Sequence, residues 1–358
     1  MMNKIYNTPE QVALYRARPE ISQSDIKKGI NDYRLYNSLE EKAMTSNMII
    51  GDLVDILLTS ENPSKDTDDK YFVVTNSLTE KETDIVNRLI NYLPEGSLED
   101  NRNVVLNVAD EVEYQTRWKE DTRIDKIIEK CGEYFDLLQS NQGKMGIPEE
   151  YLLAAVEIYG NIDKAFREFL HKEGYTSENT TIYFQKDLYS TFSNTPVKGL
   201  FDALIVHYNE ENKDVVLQAI DFKTSIQEPL LKTFMESFNR FRYDIQGAFY
   251  NRLLLHNADI FMEDYPEALS VSVNNFKFLF GNTKGAFMAE LDIALEAKAF
   301  EGDFPRTNSK GFLGYKKGIK DLIEDYNYYK ANPEIEREIF YRKANSQCLH
   351  IKDYNHIY

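Results

Sequence analysis

Cysteine is scarce in this chain of 358 residues, which contains only Cys131 and Cys348. Two thiols are too few for a disulfide scaffold, a cysteine-rich zinc site or a four-cysteine iron–sulfur cluster, so we expect a reducing, cytoplasmic environment. Long apolar stretches are also lacking, since runs such as residues 152–156 and 203–206 are far shorter than a membrane-spanning helix requires. The first residues, MMNKIYNTPEQ, have no apolar signal region, and we therefore expect no membrane association.

Positive charge is in deficit. The 42 lysines and arginines are outnumbered by 59 aspartates and glutamates, which gives a formal net charge of −17. Such a surface repels nucleic acids and anionic membranes unless basic residues gather locally. Hydrophobic residues make up 42% of the chain and aromatic residues 13%, which is enough for a buried core. At about 150 residues per domain, the length indicates one large domain or two ordinary ones.

The spacing of apolar residues predicts a mainly helical first half. Ser22 followed by Asp25 has the form of a helix N-cap, and a second helix is expected over residues 51–58. The remaining segments of this half are predicted to be a loop over 60–70, a short strand over 71–74 and mostly helices over 79–173.

The sequence changes character near Thr180, where three runs rich in β-branched and aromatic residues follow one another. Polar segments separate these runs, which predicts an antiparallel three-stranded meander. After the meander we expect a helix over 230–256, a strand over 269–279 and helices from Lys284. This combination of helices and strands indicates an α/β (α+β) fold.

Three polar residues stand out in the meander. Asp202 lies within one apolar run, Asp221 ends the next, and Lys223 follows two residues later. Residues two apart in a strand point to the same face, and Asp202 can reach the same point from the neighbouring strand. Two carboxylates within about 4 Å repel each other unless a cation neutralises them, and oxygen ligands favour Mg²⁺ or Mn²⁺ over zinc. Phosphodiester hydrolysis is the natural reaction of such a site.

The triplet of an acidic residue, any residue and lysine is not specific, because it occurs six times in the chain. On spacing alone, solvated charges at strand ends beside a turn explain Asp221 and Lys223 as well as an active site does. The flanking segments favour the second interpretation. Residues 199–202, 220–225 and 246–250 match, in order, the motifs G-x-x-D, hydrophobic-D-x-K-T and Q-x-x-x-Y. In these motifs the chain resembles the RecB-like branch of the PD-(D/E)XK nuclease superfamily.

Two N-terminal segments extend the resemblance. The sequence ISQSDIK at residues 21–27 and the sequence GDLVD at residues 51–55 are similar to the start of the phage and RecE-type (exonuclease VIII-like) exonucleases. The resemblance covers roughly residues 20–58 and 180–255. It implies a PD-(D/E)XK restriction-endonuclease-like core, in which helices flank a mixed central sheet, together with an N-terminal helical region.

Three regions are expected within what we predict to be one integrated domain. Residues 1–180 would form a mainly helical region that completes the cleft, residues 181–290 the nuclease core, and residues 291–358 a C-terminal helical extension.

The resemblance also implies roles for individual residues. It makes Asp202 and Asp221 ligands of a Mg²⁺ or Mn²⁺ ion, with the Phe222 carbonyl as a further ligand, and it makes Lys223 the catalytic lysine. Gln246 and Tyr250 would face the site, where they would contact the substrate backbone or position the lysine.

Two positions depart from the pattern of the resembled family. Asp55 stands where relatives place a histidine, and its carboxylate can still ligate a hard cation, so we include it among the metal ligands. Gln185 stands where relatives often carry a glutamate, and its neutral amide would weaken a second metal site.

DNA binding requires local positive charge. Arg240 and Arg242 precede Gln246 on the same predicted helix, and we expect both to contact the substrate. The full set of candidate basic clusters is Arg16/Arg18, Lys27/Lys28, Arg240/Arg242 and Lys316/Lys317.

The resemblance implies a metal-dependent deoxyribonuclease, most like the exonucleases that degrade linear double-stranded DNA, 5′ to 3′, in phage-type recombination. It further implies a single-strand annealing protein as partner, a homo-oligomer, and a bacterial or phage-infected host cytoplasm as location. Two alternatives stay open. One is a structure-specific or single-strand DNA endonuclease, and the other is a non-catalytic DNA-binding or assembly protein on a degenerate nuclease fold.

Overall fold

The computed structural model describes residues 2–30, 36, 44–74, 78–228, 230–302, 304–308 and 311–332. The strands in chain order are β1 (Asn3–Tyr6), β2 (Tyr71–Val74), β3 (Met145–Pro148), β4 (Thr180–Phe192), β5 (Thr195–Asn209), β6 (Asp214–Thr224), β7 (Ser270–Val273), β8 (Lys277–Asn282), β9 (Gly285–Glu290), β10 (Phe304–Asn308) and β11 (Gly311–Lys316). The helices are α1 (Pro9–Ala17), α2 (Gln23–Lys28), α3 (Ser46–Thr59), α4 (Pro63–Lys70), α5 (Glu80–Tyr92), α6 (Arg102–Glu111), α7 (Glu120–Ser140), α8 (Glu149–Lys172), α9 (Leu230–Arg240), α10 (Tyr243–His256), α11 (Ile293–Glu301) and α12 (Ile319–Ala331). Within these residues, no helix combines the length and apolarity that crossing a bilayer requires.

The chain forms two compact units. The first comprises Met1–Glu61 and Ala155–Tyr358, and the second comprises Asn62–Ala154. In the second unit, α5, α6 and α7 pack around a core that includes Ile85 and Ile127, and β2 pairs with β3 in parallel. The boundaries expected at residues 180 and 290 stay a prediction.

A mixed sheet organises the first unit. Its strand order is β1-β4-β5-β6-β8-β9, and β7 also pairs with β6. The pairs β4/β5, β5/β6 and β8/β9 are antiparallel, whereas β1/β4, β6/β7 and β6/β8 are parallel. The predicted α/β class, with helices around a mixed central sheet, is therefore confirmed.

Helices cover both faces of this sheet. The buried residues of α10 pack on the face that carries Leu204 and Leu217. On the opposite face, the ring of Phe222 meets Phe166 of α8 at 5.7 Å between centroids. A polar side chain on either face near these helices is consequently shielded from solvent at least in part.

Several predicted elements are confirmed. The meander β4-β5-β6 is antiparallel, and β2 lies at the predicted position. Ser22 is the N-cap of α2, where its hydroxyl and backbone N–H both contact the Asp25 side chain in a capping box. The helix expected over residues 51–58 is the second half of α3.

Other predictions for the secondary structure were wrong. The expected loop over residues 60–70 contains α4, because Pro63 occupies the first turn, where a missing N–H costs nothing. The helices expected from Lys284 begin only at α11, since β9 first forms a hairpin with β8. The long helix over 230–256 is divided by Arg242, which has a left-handed backbone with φ of 51°. The strand expected over 269–279 is two strands, β7 and β8, which pair with successive parts of β6.

Candidate active site

Strands β5 and β6 bring Asp202 and Asp221 together. Their antiparallel register pairs Ala203 with Ile220, so the two aspartates are next along the strands and share one face of the sheet. The backbone N–H of Phe222 donates a hydrogen bond of 2.9 Å to Oδ2 of Asp202. The structure thus places side by side the two carboxylates that the sequence singles out.

Lys223 completes this group from the same strand as Asp221. Its Nζ lies 2.5 Å from Oδ2 of Asp221 and 5.2 Å from the ring centroid of Tyr243. Burial acts to lower the pKa of Lys223, but the charges of Asp221 and Asp202 outweigh it and the pKa lies above its ordinary value. The side chain is therefore a fixed ammonium ion at neutral pH.

The carboxylates carry more negative charge than the lysine compensates. Burial raises the pKa of Asp202 well above its ordinary range, the charges of Asp221 and Asp55 raise it further, and Lys223 lowers it. Oδ2 of Asp221 is buried, and its partner is the ammonium of Lys223. The arrangement would consequently be stabilised by an additional cation.

Helix α10 holds Asp221 in place. The Gln246 amide donates a hydrogen bond of 2.5 Å from Nε2 to Oδ1 of Asp221. Tyr250, one turn later, is buried, with its ring stacked on Phe276 at 5.9 Å and tilted against Phe201 at 4.9 Å. Gln246 thus orients a carboxylate. Tyr250 packs beneath the site, where burial and the charges of Tyr15, Asp202 and Asp221 raise its pKa.

The glycine of the G-x-x-D motif permits this packing. A Cβ added at Gly199 would lie 2.8 Å from Cε1 of Tyr250 and 2.6 Å from Cδ2 of Leu253. We expect Gly199→Ala to lower the free energy of unfolding by about 1–3 kcal/mol, because overpacking displaces the tyrosine. Urea denaturation measures this. Gly160→Ala in α8 is the matched control, since an added Cβ there meets nothing within 4 Å and should stabilise the helix slightly; an equal loss in both variants would contradict the prediction.

Helix α3 contributes Asp55. A Cβ added at Gly51 would lie 3.1 Å from Oγ1 of Thr224, so glycine allows α3 to approach β6 closely. Asp55 follows one turn later on the same helix face. Its charge raises the pKa of Asp202, which places this third carboxylate beside the strand pair.

An irregularity in β4 turns Gln185 towards Asp55. Gln185 has a left-handed backbone with φ of 53° and falls opposite Asp202, where the β4/β5 ladder skips one pair. Its Nε2 lies 3.5 Å from both carboxylate oxygens of Asp55 and 3.3 Å from Oγ1 of Thr59. A left-handed non-glycine residue costs roughly 1–2 kcal/mol, so the fold maintains a strained backbone that directs this amide at a carboxylate.

The donor set suits a hard divalent cation. Among the described residues, no group of three or more histidines, cysteines, aspartates and glutamates forms a ready-made metal cage. Mg²⁺ is usually held by one or two carboxylates, waters and substrate phosphates rather than by a complete protein cage. Oxygen atoms of Asp202 and Asp221, which share one face of the sheet, fit that mode of binding.

The two arginines expected to bind DNA have different surroundings. Arg242 is buried, donates to the Asp244 carboxylate at 3.0 Å and donates to the Lys317 carbonyl at 2.9 Å, so it fixes the start of α10. Arg240 is exposed, and its guanidinium lies 5.3 Å from the ring centroid of Phe241. Only Arg240 is placed where it can meet a substrate from solvent.

Most other basic clusters are engaged by carboxylates. Arg18 pairs with Glu20 at 2.6 Å, Lys28 with Asp25 at 3.0 Å, and Lys317 with Asp325 at 2.6 Å. The side chain of Lys316 lies outside the described residues.

Two further residues belong to the site: Lys27, which the sequence indicated only as part of a basic cluster, and Tyr243, which it did not single out. Lys27 donates from Nζ to the carbonyl of Phe241 at 3.1 Å, and burial together with the charge of Lys223 lowers its pKa to about 7, against the opposing charge of Asp221. Its place at the end of the ISQSDIK segment is a signal that could have identified it. Tyr243 contacts Lys223, yet nothing distinguishes it in sequence from the other tyrosines.

No family model matches the chain, and no curated protein matches it. Among solved structures, the chain is similar to the crystal structure of a protein from Eubacterium rectale that is provisionally described as an exonuclease. The similarity extends over 82% of this chain and 81% of that one, with 13% sequence identity and a TM-score of 0.37. At this distance, the function of that protein does not transfer to this chain.

Proposed function

We propose that the protein is a metal-dependent deoxyribonuclease that degrades linear double-stranded DNA as an exonuclease, 5′ to 3′. The observation that carries this proposal is the convergence of Asp202 and Asp221 beside the fixed ammonium of Lys223. The three motifs support a nuclease, and the N-terminal segments support the substrate and the polarity.

A divalent cation would be held by Asp202 and Asp221, with Asp55 beside them and the Phe222 carbonyl as a further ligand. When bound, Mg²⁺ or Mn²⁺ lowers the pKa of a water molecule and offsets charge on a phosphoryl oxygen. Since the pKa of Asp202 is raised, the metal competes with a proton for this carboxylate, and binding is expected to strengthen as the pH rises.

The residues of the chain supply orientation and positive charge. In the hydrolysis, the water oxygen bonds to phosphorus, the bond from phosphorus to the 3′ oxygen breaks, and the leaving oxygen takes up a proton. Lys223 places an ammonium ion where negative charge develops on the phosphate. Gln246 keeps Asp221 in one orientation, and Gln185 does the same for Asp55.

A non-catalytic DNA-binding protein is the second candidate. Asp221 already contacts Gln246 through one oxygen and Lys223 through the other. In addition, Gln185 is neutral at the position where a carboxylate would strengthen a second metal site. Both features would be expected of a nuclease fold that has lost its catalytic activity.

The proposal is tested with linear and covalently closed circular duplexes of the same sequence, in Mg²⁺ or Mn²⁺. We expect mononucleotides from the linear DNA alone, with a 5′ label released early and a 3′ label late. Cleavage of the closed circle would indicate an endonuclease. DNA binding without release in either metal would select the non-catalytic candidate.

A further inference from the structure

The segment between α9 and α10 presents an exposed aromatic ring near the proposed site. We propose that Phe241 is a stacking platform for the base of the terminal nucleotide, next to the phosphate that is cleaved. This inference rests on the proposed function and adds a substrate contact to it. The side chain of Phe241 is 49% exposed, although phenylalanine is ordinarily buried.

Phe241 is the outermost ring of a stack that begins in the core. Buried Phe278 lies 5.6 Å from Tyr243 at an interplanar angle of 24°, and Tyr243 lies 6.1 Å from Phe241 at 27°. Another aromatic group can stack on the outer end of such a series of near-parallel rings. A nucleobase is such a plane, and stacking on an aromatic side chain does not depend on which base is present.

Contacts with the site residues place the stack beside the proposed chemistry. The middle ring, Tyr243, lies 5.2 Å from the ammonium of Lys223. The carbonyl of Phe241 accepts a hydrogen bond of 3.1 Å from Lys27. Lys27 in turn interacts electrostatically with Lys223 and Asp221. One aromatic ring therefore separates Phe241 from the ammonium of Lys223, so a base on Phe241 would lie near a phosphate at Lys223.

Charge next to the ring favours DNA over an apolar protein partner. The guanidinium of Arg240 lies over the ring of Phe241, 5.3 Å from its centroid, so a base that stacks there would meet this cation, which can turn to the flanking phosphate. Exposed Leu231 and Met235 on α9 would suit a protein partner instead. The experiment below distinguishes DNA from a protein as the partner of this surface.

Binding is measured in metal-free buffer with a linear duplex whose 5′-terminal nucleotide is 2-aminopurine, and with the same duplex carrying an abasic site there. We expect wild type to quench the 2-aminopurine fluorescence. Phe241→Ala should bind this duplex about tenfold more weakly and without quenching, yet bind the abasic duplex like wild type. Phe241→Trp should retain both properties. Tyr328→Ala, which removes another exposed aromatic ring, is the matched control.

Equal binding and quenching by wild type and Phe241→Ala, as a protein-docking surface predicts, would overturn the inference, and so would an equal loss of binding on the abasic duplex, because that loss would not involve the base. The proposed function fails separately. Wild type that quenches 2-aminopurine but releases no nucleotide in Mg²⁺ or Mn²⁺ would refute the nuclease and keep the platform. If wild type releases nucleotides and Phe241→Ala is equally active, the nuclease is supported and the stacking platform is refuted.

Discussion

Lys223→Met is expected to lower the free energy of unfolding of the metal-free protein by about 3–5 kcal/mol, as measured by urea denaturation. The substitution keeps most of the length of the side chain but removes the ammonium that lies 2.5 Å from Asp221. Asp221 and Asp202 then repel each other in a buried environment, where Lys27 offers only partial compensation. Nucleotide release should fall by about 10² or more, because the charge that develops on the phosphate loses its partner.

The control for this variant is Lys232→Met on α9. Lys232 is exposed and pairs with Glu236 at 3.8 Å, so its removal should change stability by less than about 1 kcal/mol. Addition of Mg²⁺ should restore part of the stability lost in Lys223→Met, since the ion would supply the missing positive charge. A Lys223→Met variant as stable as wild type would show that the carboxylates do not depend on this lysine.

Asp202→Asn is expected to have opposite effects on stability and activity. The pKa of Asp202 is raised by burial and by its neighbours Asp221 and Asp55, so the ionised form is unfavourable in the folded protein. Asparagine can still accept the hydrogen bond from Phe222, and we expect the metal-free variant to be more stable at neutral pH by about 1–2 kcal/mol. Nucleotide release should be abolished, because a proposed metal ligand is lost.

The pH dependence of this gain has a definite sign. With a raised pKa, the folded protein binds the Asp202 proton more tightly than the unfolded chain, so this group lowers stability as the pH rises. The advantage of Asp202→Asn should therefore grow with pH above the ordinary aspartate pKa and become constant above the raised pKa. Asp292→Asn is the control, since asparagine also caps α11 at that exposed N-cap. A gain that shrinks with rising pH would contradict the assignment.

The strands and the carboxylates of the site could be predicted from sequence because local patterns encode them. The alternation of side chains along β5 and β6 determines which residues share a face of the sheet. Burying an aspartate within an apolar run costs free energy unless the carboxylate is paired or hydrogen-bonded, so such an aspartate stands out in the sequence. The capping box at Ser22 and Asp25 is equally local, and the structure contains it. Predictions of this kind need only the period of a strand and the chemistry of a helix start.

The surroundings of the site could not be predicted, because they depend on contacts between distant segments. Arg242 is bound by Asp244 and by the carbonyl of Lys317, so a residue that resembles a DNA contact in sequence is buried. The left-handed Gln185 arises where β4 meets Asp55 of α3, 130 residues away in the chain. Lys27 enters the site only because α2 lies against the segment that contains Phe241.

We propose that Asp202, Asp221 and Lys223 form a metal-dependent nuclease site. The most direct test is nucleotide release from linear, 5′-phosphorylated duplex DNA by wild type and by Asp221→Asn, in Mg²⁺, in Mn²⁺ and in a chelator, with folding verified by circular dichroism. We predict release by wild type in the presence of metal, none in the chelator, and a loss of about 10² or more in the folded variant. Equal release by Asp221→Asn, or release that persists in the chelator, would contradict this account.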